Sequence, residues 1–167
     1  KPVQTYVAQK TAQYLSKELN TIIEVKSLYI KPFKSIVLEG LYVQDLDKDT
    51  LLYSPSLAVD LNIFNIEQKR IGISHLQLDS GKFYLKSYKE GGTNLQFIVD
   101  YFTPKSPTPK VKKKPYEITL NKVVLNNISF KYRNFSRNNA LKRINFDDID
   151  LYNLSTSIVG LDTRKHL

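Results

Sequence analysis

Apolar and polar residues alternate along this chain with two different periods, and the places where a period breaks are as informative as the runs themselves. Val3, Val7, Tyr14, Leu15 and Leu19 recur near helical spacing, with Lys1, Gln4, Gln9, Lys10, Gln13 and Lys17 supplying polar surface. Pro2 suits a first helical turn and Asn20 can leave the helix in a left-handed conformation, so the pattern predicts an amphipathic helix over residues 1–19. Such a helix caps the end of a sheet or lies against a membrane surface, and its moderate apolar face leaves both readings open.

Beyond Asn20 the period moves toward two, the signature of strands. Ile23, Val25, Leu28 and Ile30 predict a first strand kinked near Lys26 and Ser27 and ended by Pro32. Residues 36–46 form the next β region, and the polar DLDKDT stretch before Leu51 reads as a turn. Leu57, Val59, Leu61 and Ile63 alternate with Ala58, Asp60, Asn62 and Phe64, a strand with one committed apolar face. Ile71, Ile73, Leu76 and Leu78 lead, through a change of phase at Asp79, Ser80 and Gly81, into Phe83 and Leu85. After Gly91 and Gly92, TNLQFIVDYF predicts a short helix near 94–102, capped by Thr93 or Asn94, with Leu95, Ile98, Tyr101 and Phe102 on its apolar side. Pro104 stops it, and further β regions run from Ile118 to Tyr132 and over 144–158.

Two of these segments share one figure. LQLDSGKFYL matches VVLNNISFKY in phase, Leu76 with Val123, Leu78 with Leu125, Gly81 with Ile128, Phe83 with Phe130 and Leu85 with Tyr132. The pairs Leu41 with Val43 and Ile149 with Leu151 begin the same figure, followed by Leu46 and Leu154. Apolar residues two apart share a face, but the odd step that follows would put the next one on the opposite face of an uninterrupted strand. A bulge or bend at the intervening polar residues restores the facing. Repetition then stacks apolar residues from strand to strand, which predicts a mainly β fold: an N-terminal helix, then a curved, repetitive sheet. The organisation expected is a helix over 1–19, a first β section over 20–102, a Pro/Lys-rich linker over 103–115 and a continuing β section over 116–167. Periodicity shows that a face is apolar, not whether protein or lipid covers it.

Composition narrows the chemistry. The chain has 167 residues and no cysteine, which removes disulfides, thiolate catalysis and thiolate metal sites. With only His75 and His166, no arrangement of His, Asp and Glu suggests a metal centre, and no cofactor is implied. His75 reads as a side chain on the less apolar face of a strand. No run approaches the roughly 20 apolar residues needed to cross a bilayer. The net charge of +9 favours nucleic acid, anionic lipid headgroups or an acidic partner without choosing among them. Part of that charge is local, in Lys105, Lys110, Lys112, Lys113 and Lys114, interrupted by prolines: a solvated linker, or a tether over anionic headgroups.

The opening KPVQTYVAQKTAQYLSKELNTIIEVKSLYI, then FKSIVLEGLYVQDLDKDTLLY, then ISHLQLDSGKFYL followed by TNLQFIVDYF, together resemble the amino-terminal part of TamB proteins from the Bacteroidetes lineage, within the AsmA-like group of translocation and assembly modules. NKVVLNNISFKY and FDDIDLYNLSTSI are similar to the strands that follow in such proteins. The resemblance implies a periplasmic protein held to the inner membrane by an anchor preceding Lys1, with a taco-shaped β-groove and a C-terminal region engaging an Omp85-type partner. It implies phospholipid transport between membranes through contact with acyl chains, and help in outer-membrane protein insertion. On that carry-over the groove residues are Leu41, Val43, Leu57, Val59, Leu61, Ile63, Leu76, Leu78, Phe83, Val123, Leu125, Phe130, Ile149 and Leu151.

Lipid handling by an open groove is therefore the leading expectation, with a scaffold or chaperone for outer-membrane proteins as the alternative. A nucleic-acid module is disfavoured: Tyr29, Tyr42, Tyr53, Tyr84, Tyr88, Tyr116 and Tyr132 lie in or beside sheet patterns, with no recognised binding signature around them. Catalysis is disfavoured too, since there is no GxSxG elbow, Walker loop, dinucleotide fingerprint or HExxH. Asp147, Asp148 and Asp150 read as solvated strand-edge or turn residues. Asp45, Asp47 and Asp49 read as a polar turn that lacks the Gly and terminal Glu of a calcium loop.

Overall fold

The computed structural model describes residues 2–31, 35–65, 67–102, 117–136 and 145–160. It is a mainly β protein built on one nine-stranded sheet with two helices. Helix α1 (Pro2–Glu18) is followed by β1 (Ile23–Glu24), β2 (Ser27–Lys31), β3 (Ser35–Gln44), β4 (Thr50–Asn65), β5 (Arg70–Asp79) and β6 (Lys82–Ser87). Helix α2 (Gln96–Phe102) then precedes β7 (Glu117–Leu120), β8 (Lys122–Asn134) and β9 (Asp148–Val159). The Pro/Lys stretch, with Lys105, Lys110, Lys112, Lys113 and Lys114, and His166 lie outside the described residues.

Strands β2 to β5 meander antiparallel, and β6 carries β5 onward along the same side of β4. The next neighbours are parallel. β7 pairs with β5, and β8 pairs with β5 and then β6, at a constant offset of 47 residues from Arg70 opposite Glu117 to Ser87 opposite Asn134. The two halves of the internal repeat are thus physical neighbours, in the register that their alignment predicts: Leu76 faces Val123, Leu78 faces Leu125, Phe83 faces Phe130 and Leu85 faces Tyr132. Because parallel strands need a crossover, the long 88–116 connection carrying α2 is what this pairing demands. β9 returns antiparallel along β8 and, among the described residues, pairs with no other strand.

The breaks in phase are bulges, and neighbouring strands share them. Ser80 and Asn127 both adopt positive φ, 53° and 54°. They sit at equivalent positions, so the parallel ladder passes through: Ser80 N–H donates to Asn126 O, and Ser129 N–H donates to Gly81 O. Side chains tie the same place, with Asn126 Nδ2 donating to Asp79 Oδ1 at 2.7 Å. In β9 the compensating residue is Asn153, φ 56°, which lets Leu154 face Ile128 and Leu151 face Phe130. Asn and Ser tolerate this conformation better than β-branched residues do.

Several expectations are corrected. β3 ends at Gln44, where the register shifts after Val43 as expected, and a further change of backbone conformation lies at Gly40 (φ 60°), before Leu41. Leu46 sits exposed in the turn and does not continue the figure begun by Leu41 and Val43. The last β region starts at Asp148, because Asn145 to Asp147 form a turn held by Asn145 Oδ1 accepting from the Asp147 N–H. The short helix starts at Gln96; of its two cap candidates Thr93 serves, its Oγ1 accepting from the Leu95 N–H, while Asn94 is engaged elsewhere.

The core is a cluster of Leu41, Val43, Leu51, Leu57, Leu78 and Ile128. Gly81 stands opposite Ile128 for a steric reason: a Cβ there would lie 2.7 Å from Tyr53 O and 3.2 Å from Ile128 Cδ1. Gly81→Ala is expected to lower stability by about 1–3 kcal/mol, read from the shift in a urea unfolding midpoint, because the obstruction is backbone and has nowhere to go.

Candidate functional site

Residues directly opposite one another across a ladder share a face, so the pairing builds the apolar surface row by row. One row is Leu38, Leu57, Leu78 and Leu125, and a second is Ile36, Val59, Leu76, Val123 and Ile158. Beyond the bulges come Val43, Leu52, Phe83, Phe130 and Leu151, with Ile149 opposite Tyr132 further on. Segments from both sides of the bulges pack on the same cluster: Leu78 and Ile128 belong to it, while Leu76, Phe83, Leu125 and Leu154 pack against it. Phe83 and Phe130 also stack with ring centroids 5.8 Å apart.

Of the fourteen expected positions, Leu61 and Ile63 are the exceptions. Register shifts in β4 pair Leu61 with Ile73 and Ile63 with Gly72, outside the common rows, and Ile63 is exposed. Coverage of the face is graded. Leu95, Phe97 and Ile98 around α2 pack against the central cluster, whereas on β9 Leu151 and Ile158 are 42% and 44% exposed.

At the α2 end of the sheet lies a second constellation that the sequence did not disclose. Lys86 is 2% exposed, and its Nζ lies 2.8 Å from Asp45 Oδ2, 2.9 Å from Asp47 Oδ2 and 2.6 Å from Asp49 Oδ2. The DLDKD turn is coiled to converge on it, since Asp45 Oδ1 accepts from the backbone N–H groups of Asp47 and Asp49. Asn94 closes the far side. Its Nδ2 donates to Asp45 Oδ2 and Tyr84 O, and its Oδ1 accepts the Lys86 N–H. Tyr88 OH donates to Asp47 Oδ2 at 2.6 Å.

Burial alone would depress the Lys86 ammonium, but the hydrogen bonds to Asp45, Asp49 and Asp47 outweigh it and hold its pKa well above the ordinary lysine value. The Tyr88 hydrogen bond, followed by that of Lys86, holds the Asp47 carboxyl below its usual range. Burial and then the Asp47 carboxylate push the Tyr88 phenol up. The turn read as a polar loop is thus a clamp: an internal ammonium sits where a cation-binding loop would hold its ion, and Asn94 fastens the α2 approach to it.

Other ion pairs form between neighbouring strands. His75 Nδ1 lies 3.4 Å from Asp60 Oδ2, on the face opposite Leu76. Arg133 engages Asp148 and Asp150 of β9, the latter at 2.9 Å, while Asp147 Oδ1 accepts from Asn134 Nδ2. No helix among the described residues is long and apolar enough to cross a membrane. Compared with known proteins, the chain matches no family model, no curated sequence and no solved structure.

Proposed function

We propose that this chain is a section of a periplasmic β-trough that carries phospholipid acyl chains between membranes, in the manner expected of an AsmA-like protein. The observation supporting it is the sharing of bulges between neighbouring strands, which keeps apolar rows in step from β3 to β9 instead of scattering them over two faces. The surface is dispersive and repetitive: no single polar contact fixes a ligand, and each methylene withdrawn from water contributes about 0.8 kcal/mol. Such a surface suits a sliding chain better than a reacting one. Exposure rising toward β9 would leave that side for lipid.

A scaffold role for outer-membrane proteins is the alternative, favoured by the outer edge of β9, which is unpaired among the described residues and would offer a client strand a row of backbone donors and acceptors. One experiment separates the two. With a photo-crosslinking residue at Leu125 or Leu151 in cells, the trough yields phospholipid adducts, while edge pairing yields adducts to unfolded barrel proteins. Neither adduct at either position, with only intramolecular products, would sink both.

A further inference from the structure

Helix α1 is turned inside out relative to the usual amphipathic helix on a sheet. Thr5, Gln9, Ala12 and Ser16, spaced along one side, meet the edge formed by β1 and β2. The contacts are polar: Thr5 Oγ1 donates to Leu28 O, Gln9 Nε2 to Lys26 O, and Ser16 Oγ to Ile23 O while accepting the Ile23 N–H. Ala12, the one buried residue of α1, lets the helix approach. The opposite side, within about a third of the helix circumference, carries Val3, Tyr6, Val7, Lys10, Tyr14 and Lys17, and every one of them is exposed. Val3, Tyr6, Val7 and Tyr14 are 73%, 59%, 57% and 56% exposed.

We propose that this stripe is a docking surface for an anionic phospholipid bilayer, on which α1 lies in the interfacial plane. Three properties select a bilayer. Tyrosine has an apolar ring and a polar tip suited to the headgroup boundary. The charges sharing the stripe, Lys10 and Lys17, are both positive, and Glu18, the sole acid of α1, borders it next to Val7 on the helix circumference. The stripe is also a convex ridge, which a planar interface accommodates without a complementary groove. The underside explains how the ridge stays available: hydrogen bonds to sheet-edge backbone groups, beside buried Ala12 and half-buried Leu15, hold the helix by its other side. This inference does not depend on the acyl-chain trough, which uses a different surface.

The test is co-sedimentation of the full chain with sucrose-loaded vesicles of equimolar phosphatidylglycerol and phosphatidylcholine, against phosphatidylcholine alone. Binding to the anionic vesicles is expected, weakening with added salt. Lys10→Gln with Lys17→Gln should lower the partition coefficient about tenfold or more, and Tyr6→Ser with Val7→Ser should lower it about tenfold at unchanged circular dichroism. Phe64→Ser, at an exposed aromatic on β4, should leave it unchanged. Absence of binding, or binding indifferent to the stripe variants, would overturn the proposal. So would a dimer that the Tyr6→Ser, Val7→Ser variant converts to monomer, since a second copy would then be the occupant.

Discussion

Replacing Lys86 with methionine is expected to remove about 3–5 kcal/mol from the free energy of unfolding, the usual loss when one member of a buried ion pair is deleted. The reason is what remains behind. Asp45 is 0% exposed, and without the ammonium its carboxylate is a buried charge compensated only by Asn94 and two backbone donors. Domains of ordinary stability have only about 5–15 kcal/mol to lose, so urea unfolding should move to a much lower midpoint. Adding Asp45→Asn to Lys86→Met should return part of the loss, because it removes the stranded charge; no recovery would mean that the methylenes of Lys86, not its charge, hold the site.

The same clamp sets a pH dependence whose two limbs have different owners. The Lys86 pKa is raised, so its contribution is fully present below the ordinary lysine value near 10.4 and is lost as pH rises through the folded value. The Asp47 pKa is lowered, so its contribution is present above the ordinary aspartate value of 3.8 and is lost as pH falls through the folded value. The clamp's contribution should therefore be flat between about pH 5 and 10, and Asp47→Asn should flatten the acid limb and also weaken the alkaline one, because Asp47 helps to raise both Lys86 and Tyr88.

Ile128→Ala is the second large effect, with an expected loss of about 2–5 kcal/mol. Ile128 is 2% exposed in the middle of the cluster, facing the space that Gly81 leaves open. Backbone ladders hold both strands there, so the cavity has little means of collapse. Leu151→Ala is the control: on the half-exposed β9 it should cost about 1 kcal/mol or less. Equal losses at the two positions, measured by chemical denaturation, would show that β9 is as thoroughly covered as the centre.

These contrasts mark what could be read from the residues and what could not. The phase match of 76–85 with 123–132 was legible because bulges force an odd step in apolar spacing; that the two segments pair side by side in parallel was not, since phase alone does not choose a neighbour. In β3 the register shift after Val43 was anticipated, but the left-handed Gly40 before the apolar pair was not, because the step from Leu38 to Leu41 was left out of the comparison. The Lys86 clamp left no local trace. A lysine alternating with Leu85 reads as solvated, and its acidic partners stand 37 to 39 residues away or further. The sense of α1 was hidden for a different reason: hydrophobic periodicity assumes that the buried side is oily, whereas a sheet edge is satisfied by hydroxyl and amide groups. The grouping of Asp148 and Asp150 in sequence likewise says nothing of Arg133, their partner across the ladder.

Ser80 beside Asn127, and Asn127 answered by Asn153, carry an implication for how such a chain can change over evolutionary time. A residue gained or lost at the bend of a single strand would invert that strand beyond the lesion and throw its oily side chains to the wrong side. Length changes at this latitude are therefore tolerated only when copied into adjoining strands, and single insertions should be confined to the connections between strands.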